Sequence, residues 1–244
     1  MNRGLSALFA LTLLACAREQ QVIPANPATH LPNNAQRSAS LSGASDAAEI
    51  PGPDTALVLP GLLGAEIDII GLRRLFGSNV RVGQVPGPEG TTAQGATLFA
   101  DDPTRRAYLY FHDGTTRLAL FKVTDRQSGW TLDSGVRIGM SLSHLLALNG
   151  KPIKFVGFDW DYGGYVSDWN GGDLAPEDGE RIRRGVRLGI RPEVHDARTD
   201  DEPSPDSYPV GEGEFSSDDR TYPRLGKVAE VSEISVAFPG EDGL

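Results

Sequence analysis

Three aspartates give the sequence its clearest candidate for cation binding or acid chemistry. Asp159, Asp161 and Asp168 flank a Gly-Gly pair at 163–164, which can form a two-residue hairpin turn. That turn would set Asp159 opposite Asp168, and a bound Ca²⁺ would relieve the repulsion between their carboxylates. The spacing departs from an EF-hand loop, because a glycine stands at the fifth place and Asn170 at the twelfth. We therefore expect a solvated acidic edge and no bound metal, with these three aspartates as weak candidate ligands.

Four large aromatic residues, Trp160, Tyr162, Tyr165 and Trp169, belong to the same segment. The predicted turn puts them on one side of the hairpin, in the pairs Tyr162–Tyr165, Trp160–Ser167 and Phe158–Trp169. On a surface such rings stack on a sugar or grip a peptide, which makes the four residues candidate ligand contacts. Since only 7% of the residues are aromatic, cross-strand core packing is the favoured interpretation.

The sequence lacks the common catalytic motifs. It has no Gly-x-Ser-x-Gly elbow, no His-Glu-x-x-His and no Walker loop. Its four histidines have no motif partner, so each is expected to be a surface residue. We predict no catalytic residue and no cofactor. A hydrolase that acts through carboxylates near the hairpin is the alternative.

The sequence around the hairpin resembles that of uncharacterised secreted or lipid-anchored bacterial proteins. The likeness lies in Asn149-Gly150-Lys151-Pro152 and in the run Gly157-Phe158-Asp159-Trp160-Asp161-Tyr162-Gly163-Gly164. It extends from about Phe76 to Leu174. Because these proteins have no assigned activity, the resemblance implies a shared domain and transfers no catalytic residue.

The N-terminus has the three zones of a secretory signal. Arg3 precedes an apolar run, and as a helix residues 4–15 would rise only about 18 Å, too little to span a hydrocarbon core of about 30 Å. The run ends at Leu13-Leu14-Ala15-Cys16, which resembles the lipobox of bacterial lipoproteins. The resemblance implies cleavage after residue 15 and acylation, including palmitate, of Cys16. With Ala17 as the next residue, it also implies an outer-membrane address.

The composition after the signal predicts a tether and limits the partners. Residues 16–54 are rich in Pro, Ala, Asn and Ser, and a flexible coil of that length would have an end-to-end distance of about 35 Å. A formal charge of −10 argues against nucleic acid as a partner and against docking onto anionic lipid by a basic patch. The negative charge favours binding of basic partners and of cations. The acidic, Pro-rich segment 192–214 is predicted to be a mobile loop.

Residues 55–244 are predicted to form one antiparallel-sheet-rich α+β domain with two main helices. One helix is expected over 65–76, ended by Gly77, and another after Ser141, ended by Gly150. Strands are expected over 97–99, 106–111, 118–123, 153–162, 185–190 and 228–238. Three Val-Arg-x-Gly runs, at 80–83, 136–139 and 186–189, are interpreted as strand ends. They suggest two similar helix-plus-hairpin units, with coincidence as the alternative.

The sequence thus predicts a lipid-anchored protein of the cell envelope that faces the periplasm or the cell surface. The expected role is that of a non-catalytic binding or structural module with a protein or glycan partner. A carboxylate-dependent envelope hydrolase and a calcium-stabilised adhesion domain are the alternatives left open.

Overall fold

A computed structural model describes residues 57–195 and 207–240. The signal peptide, Cys16, the tether and residues 196–206 of the acidic loop lie outside these ranges. The helices are α1 (Ile69–Phe76), α2 (Leu142–Asn149), α3 (Pro192–His195) and α4 (Leu225–Val228). The strands are β1 (Val58–Leu59), β2 (Val80–Pro86), β3 (Thr92–Leu98), β4 (Ala107–Phe111), β5 (Leu118–Val123), β6 (Thr131–Leu132), β7 (Lys154–Val156), β8 (Val166–Asp168), β9 (Arg183–Ile190), β10 (Glu214–Ser216) and β11 (Ala229–Ala237).

The strands form one large and two small sheets. The large sheet has the order β2-β3-β4-β5-β11-β9, and all of its neighbouring strands are antiparallel. A three-stranded antiparallel sheet has the order β10-β7-β8, and β1 pairs with β6 in parallel. This confirms the predicted sheet-rich α+β fold. An antiparallel pair follows each longer helix, β2–β3 after α1 and β7–β8 after α2, in different sheets.

The core lies on one face of the large sheet. Cross-strand partners such as Leu109 and Phe121, or Val123 and Ile234, are fully buried there. Leu145 of α2 belongs to the same cluster. Burial of apolar side chains on this face is the main force that orients the edge strand β9, which borders the site described below.

The helix boundaries follow from side-chain caps. Ser141 accepts a hydrogen bond from the backbone N–H of His144 at 3.3 Å, and Gly150 ends α2 in the left-handed conformation, as predicted. α1 begins four residues later than predicted, because Asp68 caps it by accepting from the N–H of Gly71 at 2.8 Å.

Two strand predictions are wrong. The strand expected over 153–162 ends at Val156, and the rest of that segment is a loop. The Val-Arg-x-Gly run at 136–139 belongs to no strand, whereas the runs at 80–83 and 186–189 lie in β2 and β9. Most of the β2–β3 pair went unpredicted, because Gly83 lies opposite Gly95 and the alternation of apolar residues is weak there.

Among the described residues, none of the helices combines the length and the apolarity that crossing a membrane requires.

Candidate functional site

The Gly-rich run forms a loop of residues 157–164, the 157–164 loop, instead of the predicted hairpin turn. β7 and β8 pair with Lys154 opposite Asp168 and Phe155 opposite Val166, and the loop lies between them. The expected pairs are therefore wrong, namely Tyr162–Tyr165, Trp160–Ser167, Phe158–Trp169 and Asp159–Asp168.

Close backbone contacts explain the glycines of this loop. Gly164 has a φ of +83°, and a Cβ there would lie 2.0 Å from the carbonyl oxygen of Leu188. The same close approach lets the N–H of Leu188 donate to the carbonyl of Gly164 at 2.8 Å. A Cβ on Gly163 would lie 2.7 Å from the carbonyl oxygen of Gly157. The loop thus folds onto itself and onto the edge of the large sheet through backbone atoms that only glycine leaves accessible.

Arg187 of β9 connects the 157–164 loop to the large sheet by hydrogen bonds. Its Nε donates to the carbonyl of Gly163 at 2.6 Å and its Nη2 to that of Asp161 at 3.0 Å. The guanidinium also lies 5.1 Å from the centre of the Tyr165 ring. The most distinctive stretch of the sequence is therefore a structural feature that needs both its glycines and this arginine.

The four candidate aromatic residues do not share one face. Trp160 and Tyr162 form an edge-to-face pair with 5.4 Å between ring centres, and Tyr162 is 47% exposed. Tyr165 donates to the Glu233 carboxylate at 3.1 Å on the opposite face of the large sheet from the core. Trp169 packs against the core and lines a cavity. Of the four, Trp169 is the residue placed at a concave site.

The pKa values of Tyr165 and Glu233 are both raised, chiefly by burial. Burial, followed by the negative charge of Glu233, raises the pKa of Tyr165 to about 12. Burial raises the pKa of Glu233 as well, although Lys122 lies 3.8 Å away and opposes the shift.

The three candidate aspartates make different contacts. Asp161 is exposed, and among the described residues only its backbone carbonyl is bonded, to Arg187. Asp168 pairs in register with Lys154 and accepts from the N–H of Asn170 at 2.7 Å. Asp159 lies 3.7 Å from Nε2 of His195. The part of the chain that the structure describes contains no group of three or more Asp, Glu, His or Cys side chains that could hold a metal ion.

A cavity of about 420 Å³, the Trp169 cavity, lies beside β9. Three segments of the chain form it: residues 132–136, the edge of β9 with the residues before it, and a segment of residues 169–177, the 169–177 wall. The apolar residues of its lining are Leu132, Val136, Leu174 and Val186, together with Trp169.

Asn149, the last residue of α2, holds the 169–177 wall in place. The side chain is completely buried, and its Nδ2 donates to the carbonyls of Lys151 at 2.9 Å and Trp169 at 3.0 Å. Its Oδ1 accepts from the N–H of Leu174 at 3.2 Å. A Cβ on Gly172 would lie 2.4 Å from this amide, so a glycine is needed there. One buried amide thus fixes both ends of the turn that carries Trp169.

The next residues of the same motif add further bonds. Nζ of Lys151 donates to the carbonyl of Gly171 at 2.7 Å, and the side chain of Asn170 donates to the carbonyl of Pro152 at 2.9 Å. Sequence reasoning recognised Asn149-Gly150-Lys151-Pro152 as a motif without finding its role. The structure gives it one, because the motif builds the wall of the cavity.

Charged side chains surround the mouth of the cavity. Arg184 donates from Nε to Asp133 at 2.7 Å and also pairs with Glu180. The hydrogen bond from Arg184 lowers the pKa of Asp133. Asp173 and Glu177 are exposed on the 169–177 wall, and their carboxylates make no hydrogen bond or ion pair with other described residues. No pattern in the sequence marked these residues as functional, apart from their charge.

No protein-family model, curated protein or solved structure matches the chain.

Proposed function

We propose that this protein is a lipid-anchored module of the bacterial cell envelope that binds a ligand in the Trp169 cavity. The cavity is the observation that carries the proposal. Its volume of about 420 Å³ falls in the usual range of small-ligand sites, about 300 to 1,000 Å³. Its lining combines apolar side chains with charged ones, and placed polar groups are what orient a ligand in such sites.

The rigidity of the wall supports a binding role. The buried Asn149 amide and the Lys151 ammonium hold the 169–177 wall by hydrogen bonds to its backbone, so its shape is formed before a ligand arrives. A preformed site avoids the entropic cost of ordering a loop on binding.

The envelope address rests on the sequence. The segment Leu13-Leu14-Ala15-Cys16 ends an apolar run that is too short to span a bilayer, and Cys16 is the only cysteine of the chain. Several acyl chains on one residue anchor a protein durably, since each buried CH₂ contributes about 0.8 kcal/mol.

A titration with phenol, followed by NMR of the ¹⁵N-labelled full chain, tests the cavity. We expect saturable shifts at the Trp169 indole and at the amides of the 169–177 wall. Ala175→Phe, which places a ring in the cavity lining, should abolish them. Val210→Phe adds the same ring at an exposed position and should leave them intact. Saturable shifts that persist in Ala175→Phe, or a wild type without saturable shifts, would contradict the binding role.

Intact mass and membrane fractionation test the anchor. The chain expressed with its own signal should show a triacylated mass and sediment with membranes, and Cys16→Ser should lose both properties. A wild type that stays soluble and unmodified would show that the lipobox interpretation is wrong.

A further inference from the structure

We infer that the Trp169 cavity takes a positively charged ligand group, an ammonium or guanidinium on an aliphatic stem, as in a basic side chain of a peptide. The inference rests on the proposed function, because it names the chemical class of the ligand for that same cavity. It is carried by the cavity's charge balance, by its apolar lining and by Trp169.

The charge balance of the lining is strongly negative. Four carboxylates line the cavity, and Arg184 is the one cation among the lining residues. These carboxylates belong to Asp133, Asp173, Glu177 and Glu180. A concave site with one sign of charge concentrates its field inside and attracts the opposite charge.

Arg184 is not available to an anionic ligand. Its Nε and Nη2 donate to the two carboxylate oxygens of Asp133, at 2.7 and 2.5 Å, and its Nη1 pairs with Glu180. This fork-shaped pairing is the strong arrangement for a guanidinium. An anion that entered the cavity would have to break it and would meet the remaining carboxylates.

Asp173 and Glu177 provide the complementary charge for a cation. Both are exposed on the 169–177 wall, and neither carboxylate has a hydrogen-bond or ion-pair partner among the described residues. A cation bound beside either carboxylate would gain a charge-assisted contact without displacing an existing one.

The interior suits the rest of such a ligand. Leu132, Val136 and Val186 are buried apolar residues of the lining, against which an aliphatic stem can pack. Trp169 is also a lining residue, and an indole attracts cations more strongly than other aromatic side chains do. Apolar stem and charged head are therefore both accommodated.

Three probes with the same six-carbon stem separate charge from apolar contact: hexylammonium, 1-hexanol and hexanoate. The full chain with Cys16→Ser, which removes the acylation site, is titrated with each at equal ionic strength, and shifts of the Trp169 indole are followed. We expect hexylammonium to bind about tenfold more tightly than 1-hexanol, and hexanoate to bind more weakly than both. Added salt should weaken only the binding of hexylammonium.

Matched variants locate the effect. Asp173→Asn with Glu177→Gln should bring hexylammonium to within about threefold of 1-hexanol. Glu212→Gln removes an exposed carboxylate elsewhere and should leave the preference unchanged. Because the two wall carboxylates have no described partner, the double variant should keep the wild-type melting temperature.

The outcomes separate the two proposals. Equal binding of the three probes, or a preference for hexanoate, overturns the charge inference and leaves the phenol result for the binding role untouched. A preference for hexylammonium that survives in the double variant also overturns the inference, because the wall carboxylates would not be its cause. If hexylammonium does not bind, the charge inference is overturned, whatever the result of the phenol titration.

Discussion

Replacement of Asn149 by alanine should destabilise the protein far more than the loss of one polar side chain normally does. The side chain is completely buried and makes three hydrogen bonds, to the carbonyls of Lys151 and Trp169 and from the N–H of Leu174. Alanine would leave these backbone groups without that partner. At about 1 kcal/mol for each bond, the free energy of unfolding should fall by about 3 kcal/mol.

Thermal and urea unfolding of the full chain measure this loss. For a domain of this size, about 3 kcal/mol corresponds to a drop in melting temperature of about 6 to 12 °C. Asn79→Ala is the matched control, because that exposed amide makes one hydrogen bond, to the carbonyl of Phe76 at 2.9 Å. Its loss should cost less than about 1 kcal/mol.

A small effect of Asn149→Ala would refute the reasoning. If the melting temperature fell no further than in Asn79→Ala, the wall would be held by other contacts, such as the Lys151 ammonium on the carbonyl of Gly171. A second readout follows the site itself: the variant should also lose the saturable effect of phenol on the Trp169 indole.

Three further predictions concern the loop and the polar network beside it. Gly164→Ala should lower the free energy of unfolding by more than about 3 kcal/mol, because the new Cβ would clash with the Leu188 carbonyl. Gly135 has the same φ of +83° with open space around it, so Gly135→Ala should lower it by only about 1 kcal/mol. Equal losses in the two variants would contradict the steric argument. Because burial raises the pKa of Glu233, the folded state binds the proton more tightly than the unfolded state does. The free energy of unfolding should therefore decrease as the pH rises from about 4.5 through the folded-state pKa of Glu233. Glu233→Gln should flatten this part of the plot of stability against pH, and an unchanged slope in the variant would contradict the prediction. An ultraviolet pH titration should show Tyr165 ionising at about 12, and a step at that pH that is no smaller in Tyr165→Phe would contradict the assignment.

Local signals predicted α2 because everything that defines this helix lies within it or next to it. Ser141 caps its start, Gly150 ends it in the left-handed conformation, and Leu142 and Leu145 form its buried side. α1 was placed less well, since alanine, glutamate and isoleucine at 65–67 are compatible with a helix and only the cap by Asp68 excludes them.

The 157–164 loop shows where local signals fail. A Gly-Gly pair between apolar and aromatic residues is typical of a hairpin turn, and the alternation before it is typical of a strand. The actual conformation depends on Arg187 and on the backbone of Leu188, which lie more than twenty positions further along the chain. Side chains that face each other in a regular hairpin are therefore separated here.

The cavity is formed by residues that lie still further apart in the sequence. Residues 132–136, the 169–177 wall and Arg184 come together beside β9, the edge strand of the large sheet next to β11. Trp169 was a candidate ligand contact from its residue type, whereas Asp133, Asp173 and Glu177 had no signal beyond their charge. Their common location is a property of the topology and of no local pattern.

The two parts of the motif stabilise the structure, whereas other residues are placed to contact a ligand. The glycines of the 157–164 loop fit against the backbone of β9, and Asn149 with Lys151 fixes the 169–177 wall. The carboxylates at the mouth, Asp173 and Glu177, take no part in either structure. Changes at the motif should therefore lower stability and binding together. Changes at the mouth should alter the preferred ligand charge and leave the melting temperature unchanged.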